Sequence, residues 1–161
     1  MQLPLSFDRL TYYGRGPQNN YADRQAGAFL GRYSSSVKEQ FIAFPKPQDM
    51  GNREDVRWLS LTDANNSGLC FMTTGAPLST SVLPWSDMQL TMAPHPTELP
   101  EPTANWLHLD VGATGLGGTS CGQAPPPAHQ RVQSTEHQMG FIMLPPGTTG
   151  NRHEGFRARP L

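Results

Sequence analysis

Cysteine is scarce: Cys70 and Cys121 are the two in a chain of 161 residues. A disulfide framework needs more, and neither cysteine has C-x-x-C or Cys-His spacing, so disulfide-scaffold and zinc-ribbon classes fall away. Both sit in apolar or glycine-rich surroundings, which reads as two free thiols. Charge is scarce too. Asp, Glu, Lys and Arg make up 16% of the residues, with a formal net charge of -1, against about 25% charged residues in an average soluble domain. The 12 basic residues are scattered, which argues against a phosphate-neutralising surface and hence against nucleic acid as a partner. No apolar run approaches the length of a membrane helix, and residues 1–10 lack the basic start and unbroken apolar stretch of a signal peptide. The expectation is no membrane partner and, by default, a cytoplasmic location.

Glycine and proline are abundant, 16 of each, so the backbone is freed or broken too often for long helices. The 36% of hydrophobic residues supports one core, and residues 1–161 are read as a single β-sandwich domain or part-domain. Phe7 to Tyr13 reads as a strand entering the turn Gly14-Arg15-Gly16-Pro17. Asp23 to Tyr33 is a short irregular or extended passage. Phe41 to Phe44, four apolar residues halted by Pro45, suits a buried strand. Val56 to Thr62, a polar tip at Asp63 to Gly68, and Leu69 to Thr73 predict a β-hairpin. Leu78 to Leu83 is another strand. Ser86 or Asp87 caps a turn or two of helix from Met88 to Ala93, and Pro94 to Pro102 crosses the surface as an extended loop. Trp106 to Val111 alternates, with Leu107, Leu109 and Val111 on the buried face. After a loop over Gly112 to Pro127, strands are expected at Phe141 to Leu144 and Phe156 to Leu161. Seven to nine short strands indicate an all-β sandwich.

Tests for chemistry give little. Adjacent Glu54 and Asp55 point to opposite faces of a strand and read as a solvated pair. The five histidines lack metal-ligand spacing, so no metal and no cofactor is expected, and His108 reads as a hydrogen-bonded structural residue. No G-x-S-x-G marks a nucleophile, and Gly115-Leu116-Gly117-Gly118 lacks the Lys and helix of a phosphate loop. Arg15, Arg24, Arg53 and Arg57 stand beside polar partners: Asp23 near Arg24, and Asp55 near Arg53 and Arg57. Such a cluster either pins loops through bidentate pairing or grips sugar hydroxyls.

At these residues the chain resembles a known family. Gly14 to Arg24 resembles the G-R-G-P-x-E-N-Y-x-D-R motif of the C-terminal β-sandwich domain (small chain, domain 5) of large β-galactosidases, glycoside hydrolase family 2. Pro47 to Trp58, with Asn52, Arg53, Asp55, Arg57 and Trp58, is similar to P-Q-E-N-G-N-R-T-D-V-R-W. His95 to Leu99 resembles H-x-x-E-L, and Leu107 to Asp110 with Gly115 to Gly118 resembles the L-x-L-D and G-x-G-G pair. The resemblance implies a galactose-mutarotase-like supersandwich, of which this chain is the C-terminal half, so that Met1 corresponds to an internal position. It also implies a separate (β/α)8 barrel or large subunit as partner, carrying the catalytic glutamates. This chain then has no catalytic residue of its own, and exposed strand faces favour a homo-oligomer.

Two departures stand out: Asn19 replaces Glu and Met50 replaces Asn. A third falls in the loop that reaches the galactoside in the family. Gly117, Gly118, Ser120 and Cys121 correspond to it, with Cys121 where the family has a sugar-stacking Trp. Two functions follow as expectations. One is a non-catalytic segment supporting β-galactoside hydrolysis. The other is a free-standing carbohydrate-binding module using the face around Arg53, Arg57 and Trp58.

Overall fold

The computed structural model describes residues 1–116 and 126–147. Frequent breakers leave room only for short elements, and the described residues form nine strands in two antiparallel sheets. One sheet runs β1 (Gln2–Pro4), β8 (Ala104–Asp110), β7 (Leu78–Leu83), β4 (Arg53–Val56). The other runs β3 (Phe29–Ser36), β2 (Arg9–Gly16), β5 (Trp58–Thr62), β6 (Gly68–Thr73), β9 (Phe141–Leu144). Leu3, Val56, Val82 and Leu107 of the first meet Leu10, Tyr12, Leu59, Leu61 and Phe71 of the second. Burial of each such aliphatic or aromatic side chain contributes about 1.5–3 kcal/mol, and that contact makes the molecule an all-β sandwich.

Local chemistry explains several elements. The β5–β6 hairpin turns where Asp63 Oδ1 accepts the Asn65 and Ser67 amides, and Asn66 takes φ 60°. The helix α1 (Asp87–Met92) starts at Ser86 in a reciprocal capping box with Gln89, two orphan amides being satisfied at once.

Four expectations need correction. Phe41 to Phe44 is not a strand. Phe41 meets the Trp85 ring edge-on at 4.8 Å, and with Phe44 and Leu99 it packs on Met50, Leu83 and Leu90 in a satellite cluster, so a second small core satisfies the apolar run. Val56 to Thr62 is two strands in different sheets: Asp55 adopts φ 57° and the chain crosses at Arg57, whose amide donates to the Tyr13 carbonyl. Val111 lies past the end of β8 and is exposed. Pro94 to Pro102 is not extended throughout, since Pro96–Glu98 forms a single 3-10 turn, whereas the passage from Asp23 to Tyr33 is extended from Phe29, where β3 begins, as expected. The strand expected at Phe156 to Leu161 lies outside the described residues.

Candidate functional site

The candidate residues gather where the end of β2, the loop that follows it and β4 meet. Asn20 is fully buried. Its side-chain amide donates to the Arg15 and Gln18 carbonyls at 3.0 Å, and its Oδ1 accepts the Glu54 amide at 2.8 Å. Asn52 answers it. The Asn52 side chain donates to the Asn20 carbonyl at 2.8 Å, while the Asn20 backbone amide donates to the Asn52 carbonyl at 2.8 Å. The two motif blocks are thus clasped by reciprocal bonds, which satisfy polar groups that burial would otherwise penalise.

Arg53 is 7% exposed. It donates to Tyr12 Oη at 3.0 Å, to the Gly51 and Asn52 carbonyls at 2.9 and 3.1 Å, and to Gln40 Oε1 at 2.7 Å. Gly51, at φ 80°, brings its carbonyl into this arrangement in a backbone conformation that L side chains rarely adopt. Arg15, by contrast, pairs through Nε with Asp55 Oδ2 at 2.6 Å and donates to the Ala28 carbonyl. Arg57 donates to the Asp55 carbonyl and lies over the Tyr13 ring. Trp58 is 8% exposed beneath Arg32. Arg24 reaches Asn19 Oδ1 at 3.5 Å.

The expected partners are therefore reassigned. Asp55 pairs with Arg15 and gives its carbonyl to Arg57, and Arg53 is held by neutral acceptors. Asp23 turns away from the sequence-neighbour role: its Oδ1 accepts the Leu116 amide at 3.0 Å. A Cβ at Gly115 would stand 2.7 Å from the Asp23 carboxylate, so a larger residue there would push that carboxylate aside. Glu54 and Asp55 are not a solvated pair. Glu54 accepts from Asn52 at 2.7 Å and Ser79 at 2.7 Å, and burial pushes its carboxyl above the ordinary carboxylate range against those two bonds. Asn20, Tyr12, Gln40 and Glu54 are the contributors that sequence reasoning missed. For Asn20 the signal was its place between Asn19 and Tyr21 inside a quoted motif.

His95 contacts Glu98 at 2.8 Å on the surface, a bond within one turn, and His108 faces Asp87 at 3.5 Å. Burial pushes the Cys70 thiol up to about 11, which keeps it protonated and inert. Among the described residues no three His, Cys, Asp or Glu side chains are grouped to hold a metal ion. Gly117, Gly118, Ser120 and Cys121 lie outside the described residues. What the geometry does is fasten loops: β4 to the loop after β2, and that loop to the segment leading toward residue 117.

These features define a β-sandwich segment whose buried polar groups clasp its long loops. Residues 1–143 match the family model described as β-galactosidase small chain, and the chain belongs to that family. The β-galactosidase of Priestia megaterium is 39% identical over 123 residues, 76% of this chain and 12% of that protein. Those of Streptococcus thermophilus and Lactobacillus delbrueckii subsp. bulgaricus are 34% and 36% identical, over 86% and 90% of this chain and 14% of each protein. The chain spans 12–14% of the length of these relatives.

Proposed function

We propose that this chain serves as the C-terminal β-sandwich segment of a β-galactosidase, the C-terminal half of a galactose-mutarotase-like supersandwich. It is non-catalytic, and it supports hydrolysis of terminal β-galactosides by a barrel domain or large subunit that supplies the acid/base and nucleophile. The observation that carries this reading is the bond from the Leu116 amide to Asp23. It ties the Gly14 to Arg24 motif to the segment that enters the 117–122 loop, the part that the family resemblance brings to the sugar. Positioning of this kind acts at a distance, since misplacement by about 1 Å can cost a hundredfold in rate.

The module reading has less support. Arg53 and Trp58 are 7% and 8% exposed, and side chains so covered cannot lie flat on a sugar. The test adds the full chain to a barrel-bearing fragment of a family β-galactosidase and follows hydrolysis of a chromogenic β-galactoside. Activity should rise on addition. Asp23→Ala should give up about tenfold or more of that gain, and Asp23→Asn, which keeps the acceptor oxygen, should retain most of it. No gain from the unaltered chain would overturn the proposal.

A further inference from the structure

A cleft of about 360 Å³ opens beside β2 and β3, and neither Asp23 nor Leu116 lines it. Its volume is at the small end of the range of about 300–1,000 Å³ found for ligand clefts. The walls carry Tyr33, Ser35, Gln18 and Glu39, and Arg53 with Tyr12 lies at the back. Three features narrow the occupant.

First, Arg53 does not present a fork to an anion. Four of the five N–H groups of its guanidinium are engaged by the neutral acceptors named above, and bidentate capture of a carboxylate or phosphate needs two parallel free donors. Second, Glu39 stands at the wall with Oε2 held by the Ser36 amide and hydroxyl, while Oε1 enters no hydrogen bond among the described residues. A free carboxylate oxygen repels anions and accepts from hydroxyls. Third, the remaining capacity consists of single neutral groups. Ser35 Oγ accepts from Gln40 and keeps its own proton to donate. Tyr33 Oη donates to the Phe29 carbonyl and keeps its lone pairs, and Gln18 gives one N–H of its NH₂ group to the Gly27 carbonyl, keeping the other to donate and Oε1 to accept. The half-buried Tyr33 ring, 5.5 Å from Tyr12, adds an apolar surface among these groups.

We propose that this cleft binds a neutral polyhydroxylated ligand the size of one hexose, its ring against Tyr33 and its hydroxyls on Ser35, Gln18 and Glu39. Hydroxyls both donate and accept, which is what a wall of mixed single donors and acceptors selects, whereas an anion meets Glu39 and an Arg53 with one N–H left. This site is separate from the 117–122 loop, and it stands or falls independently of the preceding proposal, which is read by hydrolysis.

The test is amide NMR of the full 161-residue chain, titrated with galactose, glucose and, as an anionic arm, acetate. The expected result is saturable movement of the amides of Tyr33 to Ser36 and Glu39 with a hexose, on the order of millimolar affinity, and none with acetate. Ser35→Ala and Glu39→Gln should each weaken hexose binding about two- to tenfold. Tyr33→Phe should retain it, because the ring stays. Unchanged dispersion of the remaining amides shows that each variant folds. No saturable movement at these amides up to about 100 mM hexose, saturation by acetate instead, or affinity unaltered in both Ser35→Ala and Glu39→Gln would overturn the assignment.

Discussion

Arg53 and Arg15 come from the same pair of motifs and do opposite kinds of work. Arg53 is buried and meets four neutral oxygens, with no carboxylate among the described residues. Arg15 meets a carboxylate, but in a setting where its side chain is 32% and that of Asp55 40% exposed. In the interior the hydrogen bonds are strong because no water competes, and losing them strands several acceptors. At the surface, screening and side-chain entropy leave an ion pair worth little. The lesson is that the visible salt bridge is the weaker of the two arginine contacts, and the one without an opposite charge fixes the architecture.

The sharpest way to break this comparison is to remove Arg53. Arg53→Ala leaves Gln40 Oε1, Tyr12 Oη and the Gly51 carbonyl without their donor, while the Asn52 carbonyl keeps the Asn20 amide, and should cost about 3–5 kcal/mol in urea unfolding. A loss no larger than that of Arg15→Ala would refute the ranking. The next effect belongs to Glu54, between Arg53 and the Asp55 that pairs with Arg15. Burial raises its pKa above the ordinary value of 4.5, so the folded state binds this proton more tightly than the unfolded one. Its contribution is therefore fully present below pH 4.5 and is lost as pH rises through the folded pKa. Unfolding free energy measured across that window should fall for the unaltered chain, and Glu54→Gln should flatten that part of the slope. Equal slopes in both proteins would remove Glu54 from the account.

The smallest effect belongs to the surface pair. Arg15→Ala should cost about 0.2–1 kcal/mol, less in high salt. Asp55→Gly should come out near zero, because glycine relaxes the φ of 57° while the ion pair is lost. In the Asp55→Gly background, removal of Arg15 should cost only what its bond to Ala28 contributes. A double-mutant cycle reads the remainder.

The parts of the fold legible in the sequence are those whose causes are local. Asp63 to Gly68 carries its own turn chemistry, Ser86 with Gln89 its own cap, and Leu78 to Leu83 is bounded on both sides. Phe41 to Phe44 misled because a short apolar run states only that it will be buried. Whether a strand or a satellite cluster buries it depends on Met50, Leu83, Leu90 and Trp85, which lie elsewhere in the chain. The break at Arg57 had a trace in the adjacent apolar residues Trp58 and Leu59, which a two-residue period does not allow on one face. In the site, residue types were legible and partners were not. Asp23 meets Leu116 across 93 positions and Arg53 meets Tyr12 across 41, so neighbours in sequence were the wrong place to look.

The closing of the four-stranded sheet also sets a clock. Gln2 to Pro4 pair with Ala104 to Trp106, and the Asn105 side chain reaches back to the Pro4, Leu5 and Phe7 carbonyls. Gln2 to Pro4 therefore cannot pair with β8 until residue 106 has emerged from the ribosome. The β1–β8 pairing waits through about 100 residues of synthesis, roughly 5–20 seconds at 5–20 residues per second. Contacts of such long range place folding itself in the slow, millisecond-to-second class.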